Sequence, residues 1–231
     1  MLEDALSYPT KGDSGIVRLL IGGVLVFFSW LLVPVFLVSG YLVRAAAAVS
    51  RGDEDPPALD DWGGLLVDGV KATVIAVAYS LVPAVIFGGM LVVVVGGGSA
   101  GGNAGGLLAG VGLLGMLLAL PAVLVVTYLL PAALINFARE ESLGAAFAVS
   151  TLKPVLLSRQ YIVATVIVFG VSVVGGAVLS FLSAFLVGIV IAPFYYFWLG
   201  LASQFMFGRA FAEVANTRES ATPAAAPVAD D

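Results

Sequence analysis

Residues 72–138 read ATVIAVAYSLVPAVIFGGMLVVVVGGGSAGGNAGGLLAGVGLLGMLLALPAVLVVTYLLPAALINFA, and no Asp, Glu, Lys or Arg interrupts them. A helix crosses ~30 Å of hydrocarbon with about 20 apolar residues. These 67 residues are therefore too many for one crossing. The cluster Gly96-Gly97-Gly98-Ser99-Ala100-Gly101-Gly102-Asn103 divides them. It lacks the lysine of a phosphate-binding loop and reads as a flexible connector. The run does not alternate as barrel strands do. Unpaired backbone groups are too costly in hydrocarbon for anything but helix. The stretch thus predicts two membrane-crossing helices joined by glycines.

Two more charge-free runs flank it. Leu19 to Val43 spans 25 residues and Gln160 to Gly208 spans 49, the latter room for two crossings and a tight turn. The predicted fold is an all-α polytopic membrane protein with about five transmembrane helices, at 17–45, 71–95, 106–135, 160–187 and 190–212. They form a single helical membrane domain over 17–214, after a short N-terminal segment at 1–16. An acidic Ala/Pro tail at 215–231 reads as disordered. Glu3 and Asp4 stand where a signal peptide would be basic, so the first apolar run is expected to stay in the membrane as an anchor.

Composition agrees. Of 231 residues 61% are hydrophobic and 11% charged, against about 25% charged in soluble domains; so few charges cannot clothe a water-soluble surface. Cysteine and histidine are absent, which removes disulfide, thiolate and imidazole chemistry together with the usual zinc and haem ligands. The first loop's carboxylates lack the spacing of a calcium loop. No catalytic, cofactor-binding or metal-binding residue is assigned, and no cofactor is expected. A net charge of −5 gives nucleic acid no electrostatic footing. Excess acidity also keeps exposed protein hydrated in high salt, so a salt-loving source is expected.

The first segment has two readings. As a straight or kinked crossing, it leaves eight of the ten basic residues on one side and Lys11 and Arg18 on the other. The positive-inside rule then puts the first and third loops and the C-terminus in the cytoplasm, with the N-terminus and glycine loop outside. This reading is preferred. The rival is a re-entrant hairpin turning near Trp30–Pro34, broken by the proline, which would gather all ten basic residues on one side.

The loops carry the candidate interaction surface. In the first, Asp60 or Asp61 can cap a short interfacial helix at about 59–70, anchored by Trp62. Asp61, Asp68 and Lys71 lie toward its polar side. In the third, Arg139, Glu140 and Glu141 precede a second interfacial helix at about 142–152 that carries Phe147, and Pro154 is placed to open the next helix. Within the membrane, small residues recur every fourth position. Ala76, Ser80, Ala84 and Gly88 form one stripe, and Gly176, Ser180, Ala184 and Gly188 another. Such stripes let helices approach closely, within the chain or against a second copy. Prolines 83, 121, 131 and 193 read as kinks, and residues 194–198 as an aromatic belt at the outer interface.

An ordered set of motifs carries a resemblance. It comprises Ser7-Tyr8-Pro9, Gly40-Tyr41-Leu42-Val43-Arg44, Pro56-Pro57 with Asp61-Trp62 and Asp68-Gly69-Val70-Lys71, then Pro131 with Asn136-Phe137-Ala138-Arg139, Ser142-Leu143-Gly144-Ala145-Ala146-Phe147, and Phe207-Gly208-Arg209-Ala210-Phe211. Over most of residues 5–215 the chain resembles the multi-pass membrane proteins grouped as domain of unknown function 4013, abundant in halophilic archaea. The resemblance implies the membrane fold and no activity.

Function is bounded by what the spans lack. Proton pumps, ion-coupled transporters and intramembrane hydrolases need buried ionisable groups, and none falls in the expected hydrocarbon cores. The expected role is a non-enzymatic scaffold, assembly factor or accessory subunit in the cell membrane. Its partners would be the bilayer, a second copy or another membrane protein. A permease or channel for a neutral solute, lined by Asn136 and Gln204 among others, is the alternative. A lipid-modifying enzyme using Asp61, Asp68 and Arg139 is the third reading.

Overall fold

The computed structural model describes residues 2–12 and 14–221, and it is helical with no strand among them. Five of its helices are long and apolar enough to cross a membrane, as the charge-free runs predict. A short α1 (Leu2–Ser7) and a 3-10 turn (Tyr8–Thr10) lead into α2 (Gly15–Phe27) and α3 (Leu32–Arg51). The long pair α4 (Trp62–Ala100) and α5 (Gly102–Glu140) follows. A 3-10 turn (Leu143–Phe147) and α6 (Val149–Leu156) then lead to α7 (Arg159–Ser183) and α8 (Val187–Ala221). Side chains such as Val85, Leu118 and Leu124 project from the bundle with nothing of the chain over them, as lipid-facing positions do.

The first apolar run does not cross as one helix. It breaks at residues 28–31 and folds back. Phe197 of α8 packs against Gly22 on α2 and stacks on Tyr41 of α3, ring centroids 5.9 Å apart. Gly23 meets Phe194, so α2 runs against α8. Leu42 meets Gly200, and Val49 meets Gly208, so α3 runs with α8. The two arms are therefore antiparallel. Arg18 and Tyr41 show the same thing, since the guanidinium lies beside the phenol. A straight helix would hold residues 18 and 41 ~34 Å apart. Pro34 accounts for the break. It sits in the first turn of α3, where a missing N–H costs nothing; three residues deeper in a continuous helix it would clash with the preceding turn. Trp30, 75% exposed, stands at the tip.

The hairpin overturns the preferred reading that the N-terminus lies on the glycine-loop side. Tyr8 is fully buried against Phe205, ring centroids 4.8 Å apart. The short N-terminal segment is thus packed on α8, at the end of the bundle where α3 and α8 finish.

The α4–α5 pair is longer than predicted. Each helix has 39 residues, ~58 Å at 1.5 Å per residue, well beyond the hydrocarbon. The expected interfacial helix at 59–70 is not separate but the opening turns of α4, capped by Asp61, whose carboxylate accepts the Gly64 N–H at 3.0 Å. At the far end only Gly101 and Gly102 turn, both at positive φ, and the rest of the expected glycine connector is helical. The interfacial helix expected at 142–152 is split into the 3-10 turn and α6, and Pro154 lies inside α6 instead of opening α7.

Close packing falls where no four-residue stripe marked it. α3 and α4 cross at Gly40 and Gly69, where a Cβ on either would strike the backbone carbonyl of Leu65 or Phe36. Gly88 and Gly176 have open space in front of them, and Ser80, Ala84, Ser180 and Ala184 are exposed. Of the two stripes only Gly188 is buried, with Ala76 and Gly176 half-buried. Phe194 and Phe197 pack on α2, and the Tyr195 hydroxyl donates to the Val171 carbonyl at 3.0 Å, so the expected aromatic belt is largely helix packing.

A tyrosine pins α5 at its second proline. Pro131 leaves the ladder one donor short. In the same turn, the Tyr161 hydroxyl of α7 donates to the Tyr128 carbonyl at 2.8 Å and accepts the Ala132 N–H at 3.2 Å. These two backbone groups form one rung of a regular helix ladder, and a side chain from another helix bonds both. Helix α8 continues to Ala221, so residues 215–221 of the expected tail are helical, and 222–231 lie outside the described residues.

Candidate functional site

Each charge-free run contains one turn at the same end of the bundle: residues 28–31, Gly101 and residues 184–186. With α2 and α3 folded back, the described charged residues gather at the opposite end. That end is the candidate site.

Its organising group is Arg44, which sequence reasoning did not select. From α3 its Nε donates to Asp68 Oδ2 at 2.6 Å and its Nη1 to Asp61 Oδ2 at 2.9 Å. One guanidinium thereby ties the cap of α4 to a residue two turns further along it. The Gly64 N–H, and then Arg44, hold the Asp61 carboxyl below the usual carboxylate range. The pairs are partly open to solvent, with Arg44 32% and Asp61 59% exposed, so water and salt screen them and each adds little to stability. Their larger effect is geometric, because a planar fork bonded to two carboxylates has one orientation.

Beside the clamp lies a crevice of about 480 Å³ between α3, α4 and α5. Arg44, Arg51 and Lys71 line it, with Asp53, Asp68 and Glu141, over an apolar floor that includes Val43 and Phe137. Among the sequence-selected residues, Asp61, Asp68 and Lys71 thus come together around Arg44. Arg139 does not join them. Its Nη1 donates to the Ser50 carbonyl at 2.6 Å, and its guanidinium lies 5.3 Å from the centre of the Phe211 ring. It fastens the last turn of α3 to α5 and α8.

Phe147 lies elsewhere on this end. It stacks on Tyr79 at 5.2 Å, and the Tyr79 hydroxyl donates to the Ala146 carbonyl at 2.7 Å. Asn136 Nδ2 donates to the Ala145 carbonyl at 2.8 Å, and Tyr128 donates to the Leu156 carbonyl. The 3-10 turn and α6 are therefore held down by side chains from α4 and α5. Phe147 and Trp62 keep outward faces, 48% and 43% exposed. Arg44 was legible in one respect. It ends the first charge-free run and faces the only nearby acidic loop, but which carboxylates it meets depends on the α3–α4 crossing.

Among the described residues no three carboxylates converge as a metal-binding set. Asn136, named as a pore-lining residue, is buried and bonded. Gln204 lines a separate lateral cleft of about 660 Å³ between α4 and α5, with Ser80 and Thr127.

No curated protein and no solved structure matches this chain. A family model, described as protein of unknown function (DUF4013), matches residues 24–188, from the tip-ward half of α2 to the start of α8. That span holds the hairpin tip, the Arg44 clamp and the crevice, as well as the α4–α5 pair. The chain belongs to the DUF4013 family of proteins of unknown function.

Proposed function

We propose that this protein is a non-enzymatic scaffold, assembly factor or accessory subunit of the cell membrane, with its charged end in the cytoplasm. One observation carries the reading: the charged end is held rigid by bonds within the chain while two large aromatics stay outward on it. Arg44 is committed to Asp61 and Asp68, Arg139 to Ser50, and Asn136 and Tyr79 to the 3-10 turn. Trp62 and Phe147 are exposed on that frame. A preorganised face with aromatic anchors is what a docking surface requires. Gathering the basic residues at one end supports a cytoplasmic C-terminus. The acidic excess supports a salt-rich setting, and a net charge of −5 speaks against nucleic acid.

The test is purification of the tagged protein from native membranes in mild detergent, with mass spectrometry of what accompanies it. A stoichiometric partner that is lost in W62A/F147A supports the role. A chain that purifies alone, at one mass, refutes the subunit reading.

The lateral cleft favours a second reading, passage of a neutral solute, because Ser80, Thr127 and Gln204 bring polar groups to an apolar wall. Flux of a neutral solute in reconstituted vesicles, abolished by Q204L, would support it. The lipid-enzyme reading is weakened because both of its carboxylates are already bonded to Arg44 and Arg139 is engaged elsewhere. Unchanged membrane lipid composition in D61A/D68A would remove it.

A further inference from the structure

We propose that the crevice between α3, α4 and α5 binds the phosphate of an anionic phospholipid headgroup, with Lys71 and Arg51 as the groups that contact it. Lys71 stands ten residues inside α4 from its Asp61 cap, ~15 Å along the axis. It is only partly exposed and lines the crevice. Among the described residues it makes no ion pair, and neither does Arg51.

The neighbouring charges divide in a way that suits a phosphate. Asp68 and Asp61 are both bonded to Arg44, which leaves Lys71 and Arg51 as the cations of the crevice without an ion pair among the described residues. Asp53 and Glu141 are exposed, which places them at the mouth, where a headgroup's hydroxyl or ammonium groups would lie. The floor is apolar and includes Val43, Ala47 and Phe137, as a glycerol backbone and the first methylenes require. The clamp matters because it stops Asp68 from turning to Lys71 and filling the site from within. This site needs no protein partner, so it stands or falls separately from the scaffold role.

The test uses the full chain, purified and exchanged into phosphatidylcholine nanodiscs doped with phosphatidylglycerol, and read by native mass spectrometry. Wild type should retain phosphatidylglycerol through delipidation, and K71Q/R51Q should retain about tenfold less, the loss expected for charge-assisted contacts of this kind. K153Q, on α6 outside the crevice, should behave as wild type. Thermal unfolding in pure phosphatidylcholine checks folding: the double variant should melt with wild type there and lose only the upward shift that phosphatidylglycerol gives. Equal retention by wild type and K71Q/R51Q overturns the proposal. Binding of free glycerol phosphate in place of the lipid, abolished by the same variant, overturns the lipid assignment in favour of a soluble phosphate.

Discussion

Removing one oxygen at Tyr161 should cost more than any other single hydroxyl in the bundle. The residue is fully buried and its hydroxyl holds both the Tyr128 carbonyl and the Ala132 N–H. Y161F keeps the ring contacts with Tyr128 and Phe207, each 5.2 Å between centroids, so only the polar term changes. In water each stranded buried group would cost about 1–3 kcal/mol. Inside a membrane, side-chain hydrogen bonds average ~0.6 kcal/mol, with a ceiling near ~1.7. Here two backbone groups lose a partner at once, beside a proline that has already weakened the ladder. If the rung can close on itself, some of the loss is recovered. The expected destabilisation is about 1–2 kcal/mol. Y195F, which loses a single bond to Val171, should cost ~0.6 kcal/mol. Reversible unfolding in mixed micelles, followed by circular dichroism, measures both. A Y161F protein as stable as wild type, or less affected than Y195F, would refute the inserted-hydroxyl account of α5.

Other substitutions separate packing from appearance. G69L should destabilise by about 3 kcal/mol or prevent folding, because its Cβ meets a backbone carbonyl that cannot rotate away. G88L, facing open space, should stay within about 0.5 kcal/mol of wild type in the same unfolding assay. The pH dependence follows from Asp61. Its carboxyl is held below the ordinary value of 3.8 by Gly64 and Arg44, so its contribution is full above that value and is lost as pH falls through the lowered one. Melting curves across this acid range should show a larger drop for wild type than for D61N, and parallel curves would remove the clamp from the stability account.

The class of fold was readable because charge is excluded from hydrocarbon regardless of tertiary detail. Residues 72–138 and 160–208 therefore marked two helical pairs without knowledge of packing. The break near Pro34 was half readable: the proline and Trp30 signalled it, but only contact with α8 decides between a kink and a return. Helix ends were less readable, because polar residues such as Asp68 and Lys71 do not stop a helix that leaves the membrane. The glycines misled twice. Those at 96–98 remain helical, and the stripe through Gly88 faces outward, whereas the crossing at Gly40 and Gly69 pairs isolated glycines from different helices. At the candidate site, Asp61, Asp68 and Lys71 were found from loop charge and helical spacing. Arg44 and Arg51 were missed because their roles arise from the helix crossing.

The central claim is that α2 and α3 fold back, so that the N-terminus lies with the charged end. The chain has no cysteine, so single cysteines at Ser7, Ser142 and Ser99, all exposed, can be labelled with a membrane-impermeant maleimide in intact cells and in inverted vesicles. The hairpin predicts that Ser7 and Ser142 label from the same side and Ser99 from the other. Ser7 labelling together with Ser99 would contradict it and restore a single crossing of the first segment.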